Sequence, residues 1–267
     1  MSLADAVARL PYRGPVFEPG HVWLAGAGPG SIGCLTLDVV YALGRADAVV
    51  YDALVDPQAL EAALQASLHF AGKRGGSWRV AQDDTNALLV SLARAGKRVL
   101  RLKGGDPNMF GRGGEEALEL ARAGIPFRFL PGLTAALGAL AAANIPATMR
   151  GMNKAIVFAT GHGAGPEDEV DWAALARAGQ PIVVYMGVAN LGRIAGALMA
   201  GGLPGNTPAA VIMSATMPNE RAVYGNLAGI ERAARAADIA PPALIVIGEI
   251  VRMHDLIDAS ARAEQPA

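Results

Sequence analysis

The chain has 267 residues, of which 52% are hydrophobic and 18% charged, with a net charge of −1. That length allows one large domain or two of moderate size, and the balance suits a well-buried α/β core. A near-neutral chain offers no bulk field for nucleic acid, so an anionic ligand has to be met by local arginines. The single cysteine, Cys34, has no partner for an internal disulfide and fits a reducing, cytoplasmic setting.

Met1–Leu10 contains Asp5 and no apolar stretch of the kind that drives secretion. Pro11, Pro15 and Pro19 exclude a regular helix or central strand there, so residues 1–20 are expected as an extension outside the core. Val22–Ala25 predicts a short strand running into Gly26-Ala27-Gly28-Pro29-Gly30. A helix follows over Leu35–Leu43, with Gly44 as its stop. Ala48–Tyr51 is the next strand and ends on Asp52. Leu68–Phe70 is a third, leading into Gly72-Lys73-Arg74-Gly75-Gly76. A helix over Asp83–Ala95 precedes the apolar run Arg98–Leu102, a buried parallel strand ending in Lys103-Gly104-Gly105-Asp106-Pro107. Helix Glu115–Ala123 and strand Phe127–Leu130 complete an alternation that implies a mostly parallel sheet with helices on both faces.

The uncharged stretch Leu130–Met149 is interrupted by Pro131, Gly132, Gly138, Asn144 and Pro146, so it reads as a buried helix and not as a membrane span. Beyond it, Ala155–Ala159, Pro181–Tyr185, Ala209–Met213, Arg221–Tyr224 and Leu244–Ile247 are strand-like, the last two expected as antiparallel neighbours. Trp172–Ala178, Leu191–Ala200 and Leu227–Ala236 are helical candidates. The domain organisation that follows is an extension over 1–20, α/β domains over 21–132 and 133–256 with a ligand cleft between them, and a tail over 257–267.

A strand ending in glycines and one aspartate is how open α/β sheets build a ligand crevice at the strands' carboxyl ends. Here Gly104 and Gly105 let backbone groups approach a ligand, and Asp106 supplies one fixed acceptor. Gly26–Gly30 resembles a dinucleotide turn with Asp52 on the ribose, which leaves a nicotinamide-dependent oxidoreductase as a competing reading. Against it, Pro29 lacks an amide donor and Ser31 stands where the third glycine belongs. Asp52 also reads as an ordinary helix N-cap. His21, His69, His162 and His254 are far apart, and no spacing predicts a metal site.

Gly26–Gly30, Tyr51-Asp52, Gly72-Lys73-Arg74, Arg101–Glu116, Pro131–Ala135, Thr160-Gly161-His162, Tyr185-Met186-Gly187, Thr207-Pro208-Ala209 and Pro242–Glu249 occur in this order. Together they resemble the tetrapyrrole methylase family, in particular its branch that methylates uroporphyrinogen III, over about His21–Arg252. The resemblance implies a two-domain α/β fold, S-adenosylmethionine in the interdomain cleft, no metal, a homodimer, and methylation of two pyrrole carbons to give precorrin-2. With only the methylase module matched, it implies a monofunctional enzyme of the sirohaem or cobalamin routes. Carried over by position, cofactor contacts fall on Pro29, Gly104, Gly105, Asp106, Met109, Thr134, Ala135, Met186 and Ala215. The proton acceptor falls on Asp52 and the proton donor on Lys73.

The implied substrate carries many carboxylates, and arginine pairs with them bidentately. Arg74, Arg112, Arg150 and Arg221 lie within or beside the matching motifs, and Arg112, with glycines on both sides leaving its head free, is the best candidate for this work. Glu115 is better suited to fix an arginine or a pyrrole N–H. The chain departs from the family pattern at Ser31, Trp78, Asn108, Met149 and Glu220. Those departures fall mostly on the expected substrate side, which leaves a related corrinoid-pathway methylase, or a ligand-binding protein without turnover, as further readings.

Overall fold

A computed structural model of the chain describes residues 12, 14–72, 78–162 and 170–263. The chain divides into two compact units, Met1–Ala135 and Ala136–Ala267. In the first, strands β1 (Val22–Gly26), β2 (Ala48–Tyr51), β3 (Ser67–Phe70), β4 (Val99–Lys103) and β5 (Phe127–Leu130) form one sheet in the order β3-β2-β4-β1-β5. Every pairing in it is parallel.

Side chains alternate across such a sheet, so each strand feeds two cores. Trp23, Ala25, Val49, Leu100 and Leu102 face one side, against Val39, Ala42 and Leu43 of α1 (Leu37–Leu43). Val22, Leu24, Val50 and Val99 face the other, against Leu89 of α3 (Trp78–Arg94) and Ala117 and Leu120 of α4 (Gly113–Arg122). Between β2 and β3 lies a single-turn helix α2 (Pro57–Leu60), which the sequence reading lacked; Asp56 caps it and Pro57 starts it with a preset φ. Helix α3 begins at Trp78, ahead of the expected Asp83.

The expectation that residues 1–20 lie outside the core fails at Phe17. Its ring is 5% exposed and stacks on Trp23 with centroids 4.0 Å apart, and its carbonyl accepts a hydrogen bond from Arg98 Nε at 2.9 Å. The prolines that forbid regular structure do not stop an irregular segment from laying down one aromatic ring.

Helix α5 (Ala135–Ala142) begins on the last residue of the first unit and otherwise belongs to the second; it occupies only part of the stretch expected as a buried helix, the flanks being loop. The sheet of the second unit holds β6 (Val157–Thr160), β7 (Ile182–Tyr185), β8 (Pro208–Met213), β9 (Arg221–Asn226) and β10 (Ala243–Ile247) in the order β6-β7-β10-β8-β9. The last two strands are not neighbours, contrary to expectation. Strand β10 inserts between β7 and β8, antiparallel to both, and β9 pairs with β8 alone. The pattern Ala-Leu-Ile-Val-Ile is apolar throughout and so belongs in the middle of a sheet, whereas β9 is half-polar and takes the edge.

Helices α6 (Trp172–Ala178), α7 (Leu191–Ala200) and α8 (Ile230–Ala236) cover one face through Trp172, Ile194, Leu198 and Ile230. A final helix α9 (Met253–Ala263) runs into the segment expected as a tail. Among the described residues no helix is long and apolar enough to cross a membrane.

Candidate active site

In the first sheet, β1 and β4 are adjacent, yet their outgoing helices α1 and α4 leave on opposite faces. That reversal opens a crevice at the strands' carboxyl ends. The loops there are laced to each other. Ala27 N donates to Lys103 O at 2.7 Å, Gly105 N to Gly28 O at 2.7 Å, and Gly28 N to Gly105 O at 3.1 Å. Gly28 and Gly105 take φ of +76° and +70°, which side chains rarely adopt. A Cβ on Gly132 would lie 2.3 Å from Gly105 O and 2.6 Å from Gly26 Cα. The glycines read as making room for a ligand therefore first make room for one another.

Asp106 is tied into the same lacing. Its Oδ1 accepts from Asn108 N at 2.8 Å and its Oδ2 from Gly132 N at 3.0 Å, so the carboxylate joins the loop after β4 to the loop after β5. A carboxylate has about four lone-pair sites, so capacity remains for a ligand hydroxyl or amine. Pro29 and Met109 are half-buried, Thr134 is buried, and Ala135 starts α5.

Asp52 follows β2 directly. Its Oδ1 accepts from Leu54 N at 3.0 Å, a local turn, and its Oδ2 faces Arg101 at 3.8 Å. The N-cap reading is corrected here, because the next helix starts at Pro57 with Asp56 as its cap. Gly104 packs against the same turn, where a Cβ would meet Leu54 Cβ at 2.5 Å. Lys73 lies outside the described residues.

Behind Asp52 is a buried cluster to which the sequence reading gave no role. Arg101, Lys103 and Glu116 have side-chain exposures of 5%, 6% and 0%. Glu116 Oε1 takes Lys103 Nζ at 2.9 Å and Arg101 Nε at 3.1 Å. Burial by itself pushes the Glu116 carboxyl up, and the two cations outweigh it and hold the group below its ordinary value. Burial pushes the Lys103 ammonium down; Arg101 adds to that, and the carboxylate they share offsets it only in part. The signal was legible. Two cations two residues apart on one face of an apolar buried strand require an anion nearby.

The Arg112 head, expected to be free, is clamped. Its Nε and NH2 donate to the two oxygens of Glu115 at 2.9 and 2.5 Å. That hydrogen bond raises the guanidinium and holds the Glu115 carboxyl below its ordinary value. Arg112 itself caps α4 at φ +60°.

In the second unit, β7 and β8 both run against β10, so their carboxyl ends share one edge. Met186 follows β7 with φ +53° and is 49% exposed, an uncommon pairing of strained backbone and bare apolar side chain. Ala215 follows β8 between Ser214 and Thr216, at φ +49° and +70°. Glu220, one of the departures, steadies this loop by accepting from Thr216 N at 2.6 Å. Arg150 and Met149 are exposed near a turn after α5. Among the described residues no group of His, Cys, Asp or Glu could hold a metal ion.

A cavity of about 370 Å³ lies at the opposite, amino edge of the first sheet, lined by Phe17, Tyr41, Arg45, Asp47 and Arg98 among others. Its charges are already used: Arg98 pairs with Asp47 at 3.3 Å and Arg45 lies 3.8 Å over the Tyr41 ring. The strand-end loops are the better candidate.

Two α/β units that each set ligand-type loops at the carboxyl ends of their strands define a class of small-molecule enzyme. Residues 21–231 match the Tetrapyrrole (Corrin/Porphyrin) Methylases, and the chain belongs to that family of methyltransferases. A uroporphyrinogen-III C-methyltransferase of Sinorhizobium sp is 47% identical over 247 residues, covering 91% of this chain and 88% of the relative. Siroheme synthase 1 of Yersinia enterocolitica is 46% identical over 258 residues, covering 96% of this chain, which spans only 54% of that longer protein. Among solved structures, a Thermus thermophilus uroporphyrin-III C-methyl transferase complexed with S-adenyl homocysteine superposes with a TM-score of 0.73 at 37% identity. It covers 87% of this chain and 99% of its own.

Proposed function

We propose that the chain transfers methyl groups from S-adenosylmethionine to two pyrrole carbons of uroporphyrinogen III, giving precorrin-2, as a homodimer in the cytoplasm. The observation that carries this reading is where the family-pattern residues fall. Pro29 follows β1, Gly104–Met109 follow β4, Thr134 and Ala135 follow β5, Met186 follows β7 and Ala215 follows β8. Each is at a carboxyl strand end.

When bound, the cofactor supplies an electrophilic methyl on a sulfonium, a group best surrounded by backbone and apolar walls that do not compete as nucleophiles. Gly104, Gly105, Ala135, Met186 and Ala215 meet that need, and Asp106 keeps lone pairs for a polar end. The chain's main contribution to the transfer is alignment, worth up to about 7–11 kcal/mol in well-oriented systems. Asp52 then accepts the proton that leaves the bridge carbon beside the methylated pyrrole, with Lys73 as donor. Arg112 and Arg150 meet substrate carboxylates, and Glu115 sets the Arg112 fork.

Turnover of uroporphyrinogen III with S-adenosylmethionine, read as red-fluorescent methylated products that have each gained a net CH2 per methyl transferred, tests the reading. Inactivity there but turnover of a later corrinoid precursor would move the substrate. Co-purified nicotinamide in place of S-adenosylhomocysteine would favour the oxidoreductase. Asp106→Ala should weaken S-adenosylhomocysteine binding by about 1.5–3 kcal/mol in calorimetry, the range for a charged hydrogen bond.

A further inference from the structure

The cluster behind Asp52 is arranged unevenly. Glu116 Oε1 takes three donors, from Lys103 Nζ at 2.9 Å, Arg101 Nε at 3.1 Å and Gln82 Nε2 at 3.3 Å. Its Oε2 is buried with no hydrogen-bond partner among the described residues. Arg101 NH1 donates to Leu102 O at 3.2 Å and Val50 O at 3.4 Å, so the guanidinium is held on several sides. What remains is NH2, facing Asp52 Oδ2 at 3.8 Å, an ion-pair distance too long for a hydrogen bond.

A buried guanidinium moves to whatever carboxylate will have it, because an unpaired charge in the interior is costly. Two carboxylates compete for Arg101, and Glu116 holds it closer than Asp52 does. The geometry points to Glu116 as a positioning residue: it withholds the Arg101 guanidinium from Asp52, so that Asp52 Oδ2 stays oriented yet open to a substrate proton. A carboxylate can spread its donors over both oxygens, as Glu115 does with Arg112. Glu116 instead pulls both cations to one oxygen. The inference rests on the reading of Asp52 as proton acceptor.

Glu116→Gln keeps the shape and an acceptor but loses the charge that retains Arg101, which then closes on Asp52. The full chain is assayed as Glu116→Gln, Asp52→Asn and the double variant. The expected result is a kcat about 10- to 100-fold lower in Glu116→Gln, a part of the roughly 10²–10⁴-fold that a positioned general base supplies. KM for uroporphyrinogen III and the S-adenosylhomocysteine Kd should stay within about twofold. In the Asp52→Asn background the second change should lower kcat no further, because the effect passes through Asp52. Additive losses, or a near-normal kcat in Glu116→Gln, overturn the proposal. Normal turnover in Asp52→Asn alone removes the acceptor reading itself and is seen before Glu116 is touched. Should Glu116→Gln not fold, Glu116→Asp, which keeps the charge one methylene back, runs the same cycle with a smaller loss that must again vanish without Asp52.

Discussion

In the first sheet, strands that read as apolar carry Arg101 and Lys103 inward to a fully buried Glu116, and the loop after β4 is left-handed at Gly105 and again at Phe110 and Arg112. In the second, the facing core of Ile182, Val184, Val211, Ile245 and Ile247 is wholly apolar, and Met186 and Ser214 take the left-handed positions after β7 and β8. The first unit thus places cost in its core and, at Phe110 and Arg112, in the loop before α4; the second has a relaxed core and places its cost in its turns alone. Both put that cost at the carboxyl edge where the family-pattern residues gather. Sites that conflict with local preference tend to be the functional ones.

The largest test of that contrast is Glu116→Leu, which strands two buried cations and should cost about 3–5 kcal/mol in urea unfolding. Adding Arg101→Leu and Lys103→Met should recover most of the loss, since an apolar replacement of a buried ion cluster is often neutral. Recovery would show that the charges do not serve stability. Acid should act at the same place. The folded Glu116 carboxyl sits below its ordinary 4.5, so its contribution is present above that pH and is lost as pH falls through the depressed value. Parallel acid titrations of the wild type and the apolar triple variant, followed by circular dichroism, would reveal it.

Next in size is Gly132→Ala, whose Cβ would press on Gly105 O at 2.3 Å. Forced backbone shifts of this kind cost about 1–3 kcal/mol, and S-adenosylhomocysteine affinity should fall with them. An unchanged melting temperature would mean the lacing of the loops is loose. A smaller effect of opposite sign is expected in the second unit. Met186→Gly removes roughly 1–2 kcal/mol of left-handed strain but adds about 0.5–1 of chain entropy. It should therefore raise stability by about 0.5 kcal/mol while weakening cofactor binding. Loss of both would end the idea that strain at Met186 is kept for function.

The smallest concerns Tyr224, stacked on His254 with centroids 3.8 Å apart. Burial, then the Asp258, Glu220 and Asp255 charges, push its phenol up to about 12 from 10.0. With the folded value raised, its contribution is whole below pH 10 and is lost as pH climbs towards 12. Tyr224→Phe should flatten alkaline destabilisation across that window, seen by comparing unfolding midpoints at its two ends.

The order of strands and helices was legible because periodicity and strand-end glycines are local signals, and β5, α6 and α7 fell where the pattern put them. The short helix Pro57–Leu60 was not found, since one turn leaves no periodicity to read. Of the candidate site, the residue types were legible and, apart from an arginine for Glu115, their partners were not. Arg112 flanked by glycines looks free in one dimension, and only the first turn of α4 brings Glu115 under its fork.

The sequence by itself determined the alternation of elements and the glycine–aspartate turn after β4, which depend on residues close together in the chain, and the family pattern, which depends on the order of short motifs along it. Tertiary structure decided the placement of β10 between β7 and β8, the packing of Phe17 on Trp23, and the meeting of Asp52, Arg101, Lys103 and Glu116. Apart from Phe17 on Trp23, which an irregular segment brings together, those contacts join residues distant in sequence. Their partners are chosen by which buried surface and which buried charge remain unmatched once the strands have paired.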